Sequence, residues 1–94
     1  FKVLIKKLDR EIMNDANTRN ISASGLLFNY QEALDINALV IVRFIKPNSF
    51  DFFESKARVV RVELLPDNKT YCVGVEFIDL TKEEEKKLNY YVIK

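Results

Sequence analysis

Apolar and polar positions alternate with a period of two along most of the chain, and only the last dozen residues change to a helical period. In the first segment Phe1, Val3 and Ile5 share one face and Lys2 and Lys6 the other, which predicts a strand with one wet side. Asn14, Asp15 and Asn17 tolerate turn geometry, so the chain is expected to reverse there and return through Thr18 to Ile21. Leu26, Phe28 and Tyr30 then define a third strand face, and the polar run Gln31 to Asn37 a loop. Leu39 to Ile45 is rich in β-branched residues and stops at Lys46-Pro47-Asn48-Ser49, as a central strand would. Phe52 to Leu65 and Thr70 to Ile78 read as two long strands joined by the turn Pro66-Asp67-Asn68-Lys69.

The change of period comes with a start signal. In Thr81-Lys82-Glu83-Glu84 the threonine hydroxyl can accept from the Glu84 amide while the glutamate reaches back to the cap amide, a capping box. Three glutamates suit the positive helix start, and Leu88, Tyr91 and Val92 form a stripe that can pack on a sheet. Six antiparallel strands at hairpin spacing and one terminal helix predict an all-β fold: an antiparallel β-barrel with a C-terminal α-helix, because closure removes the exposed edges of so small a sheet. An open sheet covered by the helix is the other arrangement this pattern admits.

Length and charge narrow the classes. A chain of 94 residues suits a single domain over residues 1–94 with one modest core. Fifteen basic against fourteen acidic residues leave a net charge of +1, too little for the footprint of a general DNA binder, so an anionic ligand must meet a local site. One cysteine, Cys72, and no histidine leave neither a disulfide nor a soft-metal cluster to expect, which suits a reducing cytoplasm. No apolar run approaches the ~20 residues of a membrane span. Catalysis is not expected either: a base, a nucleophile and a polarising group must converge, yet histidine is absent, Cys72 falls mid-strand and the carboxylates gather at the helix start. The start at a phenylalanine already inside a strand suggests a piece of a longer protein.

Only two glycines occur, and each closes a distinctive phrase: Asn20-Ile21-Ser22-Ala23-Ser24-Gly25 and Tyr71-Cys72-Val73-Gly74-Val75-Glu76-Phe77. Glycine is kept where φ is positive or where backbone approaches another group closely, so both should mark the working surface. With one residue between them on extended chain, Asn20 and Ser22 point to the same side and offer a carboxamide and a hydroxyl. The bland alternative is a polar strand end whose side chains bond only to local backbone.

The first phrase matches (D/N)xSxxG, and with Arg61 in Val59-Val60-Arg61-Val62, then Gly74-Val75-Glu76-Phe77, then a polar link into a helix, the chain resembles the PilZ domains, bacterial receptor modules for cyclic di-GMP. The resemblance implies a cytoplasmic signal-transduction domain that binds this nucleotide and relays its level to a partner protein or attached domain. It implies Asn20, Ser22 and Gly25 as ligand-binding residues and no cofactor beyond the ligand. Arg19 and Arg61 read first as solvated strand residues; Arg19, which adjoins the motif, and Gly74 are kept as secondary ligand-binding candidates. One departure bears on the function: binding members carry RxxxR just ahead of the first strand, whereas here Lys6-x-x-x-Arg10 falls at the strand's end and reads as a surface pair. A PilZ-fold adaptor that joins proteins without nucleotide is therefore the alternative reading.

Overall fold

The structure, a computed structural model, describes residues 2–22, 24–45, 48 and 52–93, with side chains described as far as residue 88. Its elements are β1 (Lys2–Lys7), β2 (Asn14–Ile21), β3 (Gly25–Tyr30), β4 (Leu39–Ile45), β5 (Phe52–Leu64), β6 (Tyr71–Phe77) and α1 (Lys82–Ile93). The strands close into an antiparallel barrel in the order β1-β2-β3-β6-β5-β4, so the open-sheet alternative is set aside.

Closure follows from the alternation. Val3, Ile5, Leu26, Phe28, Tyr30, Val40, Val42, Phe44, Phe53, Ala57, Val59, Val73 and Val75 all point inward and are buried. Each large apolar side chain so buried contributes about 1.5–3 kcal/mol. Phe44 sits at the centre of an aromatic group, with ring centroids 5.8 Å from Phe53 and 5.9 Å from Phe77. Leu88 of α1 is buried in the same core, with Leu80 packed against it. The stripe partners Tyr91 and Val92 have side chains outside the described set, and the position of Phe1 lies outside the described residues.

The capping box forms as the sequence implies: the Glu84 amide donates to Thr81 Oγ1 at 3.1 Å and the Thr81 amide to Glu84 Oε1 at 3.0 Å. The Pro66 to Lys69 turn also forms, with Asp67 accepting from the amides of Lys69 and Thr70 and from the Thr70 hydroxyl.

One expectation needs correcting. The first reversal is not at Asn14 to Asn17, which lie within β2, but in the loop before it, where Leu8 and Ile12 are exposed. β2 is mostly wet, so Asn and Asp serve there as outward strand positions paired to β1 and β3. Neither glycine has a positive φ; the left-handed conformations belong to Asn37, Asn48, Asn68 and Asp79. Short polar side chains suffice for those turns.

Candidate functional site

The sequence phrase that closes on Gly25 forms the sharp connection between β2 and β3. The Ser22 amide donates to the Gly25 carbonyl at 2.9 Å, and the Ser24 amide donates to Ser22 Oγ at 3.3 Å. The hydroxyls of Ser22 and Ser24 lie 3.1 Å apart, and the Phe77 amide donates to the Ser24 carbonyl, fastening the turn to the end of β6. Gly25 is required by close approach: an added Cβ would lie 2.3 Å from the carbonyl oxygen of Val75.

This turn stands at the rim of the barrel, and Asn20, Ser22 and Gly25 line one open depression of about 160 Å³ with Leu26, Leu27 and Val75. The expected convergence of the three candidates is present in the geometry. Ser22 is engaged in the turn, whereas the exposed Asn20 carboxamide has no hydrogen-bond partner among the described residues. Beside the depression, and sharing Gly25 and Val75 with it, a wider groove of about 610 Å³ runs between the turn, the end of β6 and Leu80 and Glu85 at the helix start.

The outward face continues across four strands. Asn20 stands opposite Leu27, Leu27 opposite Gly74, and Gly74 opposite Arg61, one row spanning roughly 14 Å at the usual strand spacing. Two irregularities bracket this row. The β2–β3 register shifts between Thr18 and Asn20, and the β5–β6 register between Val59 and Arg61. Bulges re-aim side chains, and here they bring Asn20 and Arg61 outward in step with Leu27 and Gly74.

Gly74 serves as a floor: a Cβ there would lie 3.3 Å from Arg61 Cβ and 3.5 Å from Leu27 Cδ1. Arg61 crosses that floor and donates from Nη2 to Glu63 Oε2 at 2.6 Å. The hydrogen bond and then the charge of Arg61 hold the Glu63 carboxyl below its ordinary range, against slight desolvation, with a further contribution from the charge of Arg19. The next row places Glu76 beside Gly25, in an ion pair with Arg58.

The sequence reading missed Glu63 and gave Arg61 no role. Their neighbours on β6 and β3 depend on cross-strand register, which the two bulges shift; a register count allowing for the bulges would have found them. Arg10 and Lys7 share Glu32 at 3.2 Å and 2.7 Å, close to the β3–β4 loop. Among the described residues no group of three or more His, Cys, Asp or Glu could hold a metal ion, and no helix is long and apolar enough to cross a membrane.

Known proteins agree with this architecture. The family model of the PilZ domain matches residues 2–94. The PilZ domain of YcgR from Escherichia coli, solved with c-di-GMP, superposes with a TM-score of 0.74 at 12% identity, over 98% of this chain and 79% of that one. The Bacillus subtilis inhibitor of motility (MotI/DgrA) superposes with a TM-score of 0.73 at 19% identity, over 98% of this chain. The present chain spans only 44% of that protein's length. No curated protein matches in sequence.

Proposed function

The chain belongs to the PilZ family, and from that premise we propose that it is a cytoplasmic receptor module for cyclic di-GMP, one domain over residues 1–94, that relays occupancy to a partner protein or attached domain. The observation that carries this reading is the open depression in which the unpartnered Asn20 carboxamide, Ser22 and the close-approach Gly25 converge. A cyclic dinucleotide offers phosphate oxygens that accept from amides, hydroxyls and guanidinium groups, and guanine edges that pair with carboxamides or forked donors. Asn20 supplies a donor and an acceptor to a base edge or phosphate. Ser22, by giving up its contact with Ser24, supplies a hydroxyl, while Gly25 lets the ligand meet backbone. The fold neighbour solved with c-di-GMP supports the choice of ligand.

Relay requires that ligand bind two arrangements of the module with different affinity. The groove between the signature turn and the helix start is suited to this, because the turn is tied to β6 through the Ser24 carbonyl. A ligand that reshapes the turn alters the wall of that groove.

The ligand-independent adaptor is the second reading. It is favoured by the commitment of Ser22 to its own turn and by the engagement of Arg10 and Lys7 with Glu32, which leaves no RxxxR-like fork at the end of β1. Calorimetric titration of cyclic di-GMP into the 94-residue chain and into the natural full-length protein separates the two. The receptor reading expects saturable binding, measured in the isolated chain and in the full-length protein. In the latter, Asn20→Ala should weaken affinity at least about tenfold, since each lost charge-assisted or paired contact is worth about 1.4 kcal/mol or more. Absence of binding by the full-length protein would establish the adaptor.

A further inference from the structure

Arg61 and Glu63 lie two apart on β5 and so share its outward face, both exposed, with the guanidinium drawn to the carboxylate at 2.6 Å. The Arg61 side chain passes Gly74, where an added Cβ would stand 3.3 Å from its Cβ and 4.0 Å from its Cδ. Its position is set by the bulge at Val60, and Arg19 is carried on the companion bulge of β2 at the other end of the same row. Glu63 therefore engages Arg61 by direct contact.

That arrangement is what a bound phosphate oxygen would need, with a carboxylate in its place. A guanidinium fork selects planar or tetrahedral oxyanions, and a carboxylate competes for the same donors. The row leads from the open Asn20 depression to Arg61, so an anion reaching along it competes with Glu63 for the guanidinium. We infer that Glu63 is a built-in counter-anion at a strand-borne anion subsite of Arg61, and that a phosphate of an anionic ligand binds by competing with it for the guanidinium.

The subsite is assigned from geometry alone; the identity of its ligand as cyclic di-GMP rests on the receptor reading above. Glu63 weakens binding twice over, by occupying the Arg61 donors and by repelling the phosphates, so it sets the concentration at which the domain responds.

The test compares wild type, Glu63→Gln, Arg61→Ala and the double variant in the full-length protein by calorimetry with cyclic di-GMP. Glutamine keeps size and polarity while removing the charge, and both positions are exposed, so folding should survive in every variant. Glu63→Gln should tighten binding roughly three- to tenfold and Arg61→Ala weaken it about tenfold, with no gain from Glu63→Gln once Arg61 is gone. Equal or weaker binding by Glu63→Gln, or a gain that persists without Arg61, overturns the inference while leaving the receptor reading intact.

A second readout does not depend on that reading. At low ionic strength inorganic pyrophosphate should shift the Arg61 Nε–H resonance of the Glu63→Gln chain at concentrations that leave wild type unmoved. If no variant binds cyclic di-GMP yet this difference appears, the receptor reading falls and the subsite stands. Equal responses in the two chains overturn the subsite.

Discussion

Gly25 and Gly74 occupy outward positions in adjacent rows of the same β3–β6 ladder, and they are glycine for different reasons. At Gly25 the obstacle to a side chain is the backbone carbonyl of Val75, 2.3 Å from where a Cβ would stand. At Gly74 the obstacles are the side chains of Arg61 and Leu27, at 3.3 and 3.5 Å. A ladder carbonyl 2.3 Å away moves only if the strands part, whereas the nearest atom at Gly74, Arg61 Cβ, needs to give only a few tenths of an ångström. Neither position needs the conformational freedom usually credited to glycine. One keeps two strands in register beside a turn; the other keeps a flat place for a cation.

The sharpest way to break this contrast is Gly25→Ala. The methyl must push the Val75 carbonyl aside or force β3 outward, an overpacking cost of about 2–3 kcal/mol. For a domain of this size that lowers the melting temperature by roughly 10–20 °C. Circular dichroism melting reads it directly. An unchanged midpoint would mean that the turn relaxes freely and that Gly25 matters only for ligand access.

How this contrast lay hidden in the sequence is instructive. The barrel was legible because Val3, Ile5, Leu26, Phe28, Val40, Val42 and Phe44 alternate with polar neighbours, and because Thr81 and Glu84 announce the helix. β2 was not, since Asn14 to Asn20 face mostly water and offer no apolar rhythm, while exposed Leu8 and Ile12 mimic buried positions. Asn20, Ser22 and Gly25 were legible as a local phrase. Arg61 over Gly74 was not, because the two residues meet across strands through a register that a bulge displaces.

Acid offers a second, milder test. The turn at Gly25 is held by serine hydroxyls and backbone, which do not titrate between about pH 5 and about pH 2. The β5–β6 hairpin that carries Gly74 is held at its tip by Asp67. The Lys69 amide first, then the Thr70 amide and hydroxyl, keep its carboxyl below the usual 3.8. Farther along, Arg61 lowers Glu63 from 4.5. A depressed carboxylate pKa contributes stability that is complete above the unfolded value and is lost as pH falls through the folded one. Below about pH 4 the amide shifts of Lys69 and Thr70 should therefore move while that of Ser22 stays in place. Simultaneous movement at both turns would show that the two regions loosen as one.

Gly74→Ala should have the smallest effect on stability and is the most informative. A Cβ there would lie 3.3 Å from Arg61 Cβ, which the backbone fixes and which must give by a few tenths of an ångström, and in ordinary contact with Leu27 Cδ1 at 3.5 Å. The strain should therefore fall below about 1 kcal/mol. Because φ at Gly74 is not positive, alanine also removes backbone freedom from the unfolded chain, a gain of about 0.4–1 kcal/mol. The two contributions offset, so the midpoint should stay within about 5 °C of wild type. Arg61, however, can no longer lie on the floor. Its contact with Glu63 should be lost or re-aimed, which the Arg61 Nε–H resonance reports independently of melting. A melting loss as large as that of Gly25→Ala would erase the distinction between the two glycines. An unmoved Arg61 resonance would show that the floor at Gly74 does not position the arginine, leaving Glu63 alone to hold it.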